Sequence, residues 1–144
     1  MSDLNIPRNL ALAGTLPFVV CTLAAVGVSV PGLSALPWAI VANSYGLAIV
    51  SFMAGAQWGL CLSRPSPPIA ILLFSNAVTL VAWSAFLTFG QQLTLFVLAV
   101  AFIALLVVDW RLHHRQWLSQ HYWRTRLVVT AIVVVCLLLM ATSL

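Results

Sequence analysis

The chain has no lysine and no glutamate, and its only acids are Asp3 and Asp109. Charged residues make up 6% of it, where an ordinary soluble domain carries about 25%. A soluble surface needs more charge than that, so the outer surface of this protein faces lipid. The scarcity excludes much chemistry as well. A paired-carboxylate mechanism has no pair within any one helix or loop. The six arginines sit in short separators rather than in a dense basic stripe, which excludes nucleic acid as a partner. There is no GxSxG elbow and no glycine-rich phosphate loop.

Cysteine is equally uninformative as chemistry. Cys21, Cys61 and Cys136 fall in or at the ends of three different apolar runs, odd in number and without CxxC spacing. Neither a disulfide framework nor a zinc site is indicated, and they read as small buried side chains. No apolar run contains a histidine, so haem ligation inside a bundle is not expected. His113 and His121 are about 12 Å apart on a continuous helix, too far for one ion, and no metal or cofactor is expected. Asp109 and His113, at i and i+4, form a candidate hydrogen-bonded pair at the membrane interface.

What is abundant is hydrophobicity: 63% of residues, with a mean hydropathy of +1.12. Five apolar segments, at residues 10–30, 36–62, 69–89, 93–110 and 127–144, are each long enough to cross a bilayer. The separators are PGLSALP, SRPSPP, GQQ and a polar piece over residues 111–126. Pro65, Pro67 and Pro68 keep the second and third spans apart, and Pro17 is placed to kink the first. The first run carries only Arg8, continues to Val30 and lacks a cleavage site, so it reads as a retained helix rather than a signal peptide. The expected fold is all-α, a polytopic membrane protein with five transmembrane helices in one domain.

The arginines test that count. With five spans, Arg8, Arg64, Arg111, Arg115, Arg124 and Arg126 share one side and the other side has no charged residue. The positive-inside rule then puts the N-terminus in the cytoplasm, or in the matrix of a mitochondrion, and the C-terminus outside. Trp110, Trp117, Tyr122 and Trp123 suit an interfacial aromatic belt, with residues 111–126 as a weakly amphipathic segment on that surface. Arg64, Arg111, Arg115, Arg124 and Arg126 are the residues expected to meet lipid head groups.

The second span is the most structured in its pattern. Ser44, Ala48, Ser51, Gly55 and Gly59 fall within about 80° on a helical wheel, a seam of small residues that invites close approach by another helix. Asn43 and Gln57 lie on the opposite side, within about 40° of each other. That side should be covered by protein too, which makes this helix the expected centre of the bundle. Asn76, Thr79 and Trp83 form a polar stripe on the third span that is a candidate to meet Asn43 or Gln57.

Several of these pieces carry a resemblance. IPRNLALAGTLPF, YGLAIVSFMAGAQWGL, and DWRL followed by YWRTRLVVT resemble, in order and spacing, the transmembrane protein 69-like family, from Ile6 to Thr130. The most specific block is Tyr45, Gly46, Gly55, Trp58 and Gly59. The resemblance implies residence in a bacterial or mitochondrial inner membrane and no established reaction. In that family the position of Gln57 is often histidine or arginine, so the glutamine here speaks against an essential titrating group.

Two functions follow as expectations. The first is a non-catalytic accessory or assembly component of a membrane complex, with membrane lipids and a membrane-protein partner or a second copy as its contacts. The second is a binder or carrier of a small lipophilic molecule, a quinone or a lipid, with Tyr45, Gln57, Trp58, Asn76 and Trp83 lining an intramembrane pocket. An enzyme using the region from Asp109 to His121 ranks third.

Overall fold

The computed structural model describes residues 5–28 and 37–144. Asp3, Val30 and most of the PGLSALP separator lie outside the described residues. The helices are α1 (Asn5–Ala13), α2 (Leu16–Ala25), α3 (Trp38–Leu62), α4 (Ile69–Thr88), α5 (Gln91–His114) and α6 (Gln120–Thr142), with no strand among the described residues. Arg8–Ala25, across α1 and α2, and each of α3 to α6 are long and apolar enough to cross a membrane. The protein is therefore a polytopic helical bundle with five such spans. Their alternating direction gathers all six arginines at one end, called here the arginine end.

The first span breaks where Pro17 requires it. Pro17 has no N–H to donate and occupies the first turn of α2, so the chain restarts its helix at Leu16. Thr15 caps the preceding turn by donating to the Leu12 carbonyl at 2.7 Å. The Gly14 carbonyl, freed at the break, accepts a hydrogen bond from the Tyr45 hydroxyl of α3 at 3.0 Å. A carbonyl at this depth needs such a partner because hydrocarbon offers none.

The core is built around α5, not α3. Half of the α5 membrane window is buried, against 33% for α3 and 17% for α4. Leu95, Leu98, Phe102 and Leu105 of α5 are fully enclosed by Phe18, Val50, Leu137 and Met140 from the surrounding helices. Phe18 meets Phe102 edge to face, with ring centroids 6.0 Å apart, a favourable aromatic geometry. Gly46 lets α3 approach α5 here: a Cβ at that position would stand 2.9 Å from Leu98 Cδ1.

The expected interfacial segment at 111–126 is not a separate element. α5 continues four residues past Trp110, and α6 begins at Gln120 rather than at 127. The turn between them is tight: the Gln116 N–H donates to His113 O at 2.9 Å and the Trp117 N–H to Leu112 O at 3.0 Å. That paired closure puts Gln116 in the left-handed region, at φ 59°. Trp117 then packs on Leu112 and Cys61 in a small second core. Ser119 starts α6 by accepting from the Tyr122 N–H at 3.2 Å, an ordinary N-cap.

Candidate functional site

Three helices place a polar side chain at one depth near the arginine end. Gln57 of α3, Asp109 of α5 and Arg126 of α6 each lie five or six residues inside their helix ends, about 8–9 Å along the axis. The Arg126 Nε donates to Asp109 Oδ2 at 2.8 Å, and the Gln57 amide nitrogen donates to Asp109 Oδ1 at 2.9 Å. The second proton of that amide goes to the Leu105 carbonyl, also at 2.9 Å. Asp109 is 2% exposed and Gln57 3%. A carboxyl group in such a place needs hydrogen-bonding partners for its oxygens, and both oxygens of this one have them.

The centre is not fully satisfied. Gln57 Oε1 and Arg126 Nη2 are buried with no hydrogen-bond partner among the described residues. One is an acceptor and the other a donor, so a water or a hydroxyl could answer either. The remaining groups offer no nucleophile, and no set of three His, Cys, Asp or Glu that could hold a metal occurs among the described residues.

This pairing replaces two expectations. Arg126 turns inward to Asp109 instead of serving lipid head groups, and Asp109 does not pair with His113. His113 instead donates from Nδ1 to the Leu118 carbonyl at 3.1 Å and stacks on Trp123, 5.7 Å between centroids and 9° between planes. The signal was present in the sequence. Residues 109 and 126 lie eight and nine residues from the middle of the α5–α6 turn, close to the symmetry that two residues facing each other across an antiparallel helical hairpin need.

The other arginines stay at the rim. Arg64 lies over the Trp117 ring, its Cζ 4.9 Å from the centroid, and Arg115 approaches the same ring at 5.8 Å. Arg111 borders a small cavity between α4 and α5, and Arg124 and His121 of α6 face Arg8 of α1 across a cleft.

The five residues expected to line a pocket do not converge. Gln57 faces α5 in the centre described above, and Tyr45 is spent on Gly14 and packs on Phe18 at 5.2 Å. Trp83 is half exposed on the outside of α4. Trp58 and Asn76 both line a shallow groove of about 320 Å³ between α3 and α4, shared with Ser51, Gly55 and Thr79. The α4 stripe therefore points away from Asn43 and Gln57. Asn43 binds α5 instead, donating to the Gln91 side-chain oxygen at 2.7 Å and its carbonyl at 3.1 Å.

The small-residue seam is on the outer surface. Ser44, Ala48, Ser51, Gly55 and Gly59 are all exposed. A Cβ at Gly55 or Gly59 would meet nothing within 4 Å. Asn76, beside the seam, is exposed and makes no side-chain hydrogen bond among the described residues.

Comparison with known proteins adds a family and no activity. No curated protein and no solved structure matches the chain. A family model described as "Protein of unknown function (DUF3429)" matches residues 5–142, and the chain belongs to that family.

Proposed function

We propose that this protein is a non-catalytic accessory or assembly component of a membrane complex, which receives a transmembrane helix of a partner protein on the outer face of α3 and α4. The observation that carries the reading is the unused seam. Gly46 has a reason to be glycine inside the chain, since Leu98 occupies the space of its Cβ. Gly55 and Gly59 have none: neither needs a positive φ, and both look onto open space. Glycine in a helix interior costs about 1 kcal/mol relative to alanine in soluble hosts, and a close-packed neighbouring helix is what would repay it.

Asn76 supports the same face. It is the eighth residue of α4, about 10 Å from the arginine end and so within the hydrocarbon. An amide there calls for a hydrogen-bonding partner, and the helix that covers the seam would supply it. The membrane this reading implies is the bacterial or mitochondrial inner membrane of the transmembrane protein 69-like resemblance, with the arginine end in the cytoplasm or matrix.

A second reading, carriage of a lipophilic molecule, is favoured by one feature. A groove of about 570 Å³ between α4 and α5 is lined by Phe74, Val78, Val81, Leu93, Phe96 and Val100, among others, all apolar. It suits an acyl chain better than a quinone, whose ring oxygens would find no donor in that lining.

Native mass spectrometry from lipid nanodiscs tests the leading proposal. A stoichiometric second polypeptide should be released with the wild-type chain and be lost from the Gly55→Leu and Asn76→Leu variants. A wild-type protein that emerges only as a monomer, or a complex indifferent to both substitutions, refutes it. A copy of the same chain in the released complex would retain the face and change its occupant.

A further inference from the structure

At the arginine end α1 and α6 run side by side in the same direction, with a cleft of about 260 Å³ between them. Its lining is Arg8 and Leu12 from α1, and His121, Arg124, Thr125 and Val128 from α6. Three of these six side chains are basic and none is acidic. The one carboxylate side chain among the described residues, Asp109, is buried and already held by Arg126. Among the described residues no carboxylate neutralises Arg8 or Arg124.

The cleft is layered. Leu12 follows Arg8 by four residues and Val128 follows Arg124 by four, so on each helix the apolar residue sits one turn below the arginine, about 6 Å deeper into the membrane. Cations ring the mouth and hydrocarbon lines the floor. The Thr125 hydroxyl donates to the His121 carbonyl at 3.1 Å, so the donors left to face the cleft are the two guanidiniums and the imidazole. A guanidinium presents N–H groups in a planar fork suited to phosphate oxygens, and an imidazole has an N–H in either tautomer.

We propose that this cleft binds a phosphate group, held by Arg8, Arg124 and His121, with Leu12 and Val128 receiving the hydrocarbon attached to it. The chemistry is that of a phosphate ester, whether of a membrane lipid or of a soluble metabolite. The cleft could enclose the volume of roughly nine waters at about 30 Å³ each, enough for a phosphate and its first carbons but not for a whole lipid. The chains of a lipid would leave along the outside of α1 and α6. The site is independent of the α3–α4 face and does not require that reading.

The experiment is lipid retention by native mass spectrometry, with the protein in nanodiscs of mixed phosphatidylglycerol and phosphatidylcholine. The wild type should retain one phosphatidylglycerol per chain in preference to phosphatidylcholine. Arg8→Gln with Arg124→Gln should lower that retention by about fivefold per arginine removed, whereas Arg8→Lys with Arg124→Lys should keep most of it. Arg111→Gln, a charge change at the same end but outside the cleft, should have little effect. Displacement of the lipid by added glycerol 3-phosphate assigns the site to soluble phosphate esters; resistance to it assigns the site to the lipid. Equal retention by the double glutamine variant, or an equal loss in Arg111→Gln, overturns the proposal. Should the double variant fail to fold, Val128→Trp decides. It fills the cleft with the cations intact, and undiminished lipid retention would then reject the site.

Discussion

The pairing of Asp109 with Arg126 predicts a strongly asymmetric double-mutant cycle. The Asp109 side chain is 3% exposed and that of Arg126 is 13% exposed. Arg126→Met leaves the carboxylate where it is, with only the Gln57 amide at 2.9 Å as donor. Breaking a buried pair in this way costs about 3–5 kcal/mol, because the abandoned charge has no route to water. Asp109→Leu is gentler. Arg126 lies within two turns of the arginine end, and its long side chain can extend to the interface once released. A cost of about 1–3 kcal/mol covers the lost hydrogen bond and the stranded Gln57 amide.

Both substitutions together replace an ion pair with apolar side chains of similar bulk, which is often close to neutral in protein interiors. The double variant should therefore be more stable than Arg126→Met alone, with a coupling of at least about 2 kcal/mol. Reversible unfolding in mixed detergent micelles, followed by the fluorescence of the six tryptophans, measures all four corners. Single effects that simply add, or an Arg126→Met variant within about 0.5 kcal/mol of wild type, would refute the buried pair as a source of stability.

Other consequences can be read with the same unfolding assay. Gly46→Ala should destabilise by about 1–3 kcal/mol, because its Cβ would press on Leu98 Cδ1 at 2.9 Å and force core side chains to move. Gly55→Ala should leave the isolated chain unharmed or up to about 1 kcal/mol more stable, since the added methyl meets nothing; a loss at Gly55 equal to that at Gly46 would contradict the exposed seam. Tyr45→Phe should cost about 1–2 kcal/mol by stranding the Gly14 carbonyl at the break between α1 and α2, and an unchanged midpoint would mean that this carbonyl has another partner.

The fold was legible because hydropathy and arginine placement are both read along one dimension. Five runs and one charged side lead to five spans long enough to cross a membrane, with their arginines at one end. The boundaries near residues 110 and 127 were not legible by the same means. Asp109 and Arg126 look like the edge of a span when scored singly, but each cancels the other's cost once α5 and α6 pair, and the helices run on through them. Helical angle likewise identified the face of α3 that turns inward, since Asn43 and Gln57 are both buried. It could not name the neighbour. A wheel gives a direction and no partner: the polar stripe of α4 is the match visible in the sequence, whereas α5 supplies Gln91, Asp109 and the Leu105 carbonyl. The seam was legible as a pattern too, but its occupant depends on chains that this sequence does not contain.

The inward polar groups lie toward the two ends of the bundle. Asn43 with Gln91 closes one end and Gln57 with Asp109 and Arg126 the other. Asn43 and Gln57 are about 21 Å apart along α3, and the buried residues of α3 between them are Gly46, Val50, Met53 and Ala54. Facing them on α5 are Leu95, Leu98, Phe102 and Leu105, all closely packed. This α3–α5 contact is an apolar layer that separates the two polar ends. The polar groups at each end join helices, α3 to α5 at both ends and α5 to α6 at the arginine end. On the outside of α3 and α4, Asn76 and the small-residue seam are left exposed, and that is the face on which a partner helix is proposed to pack.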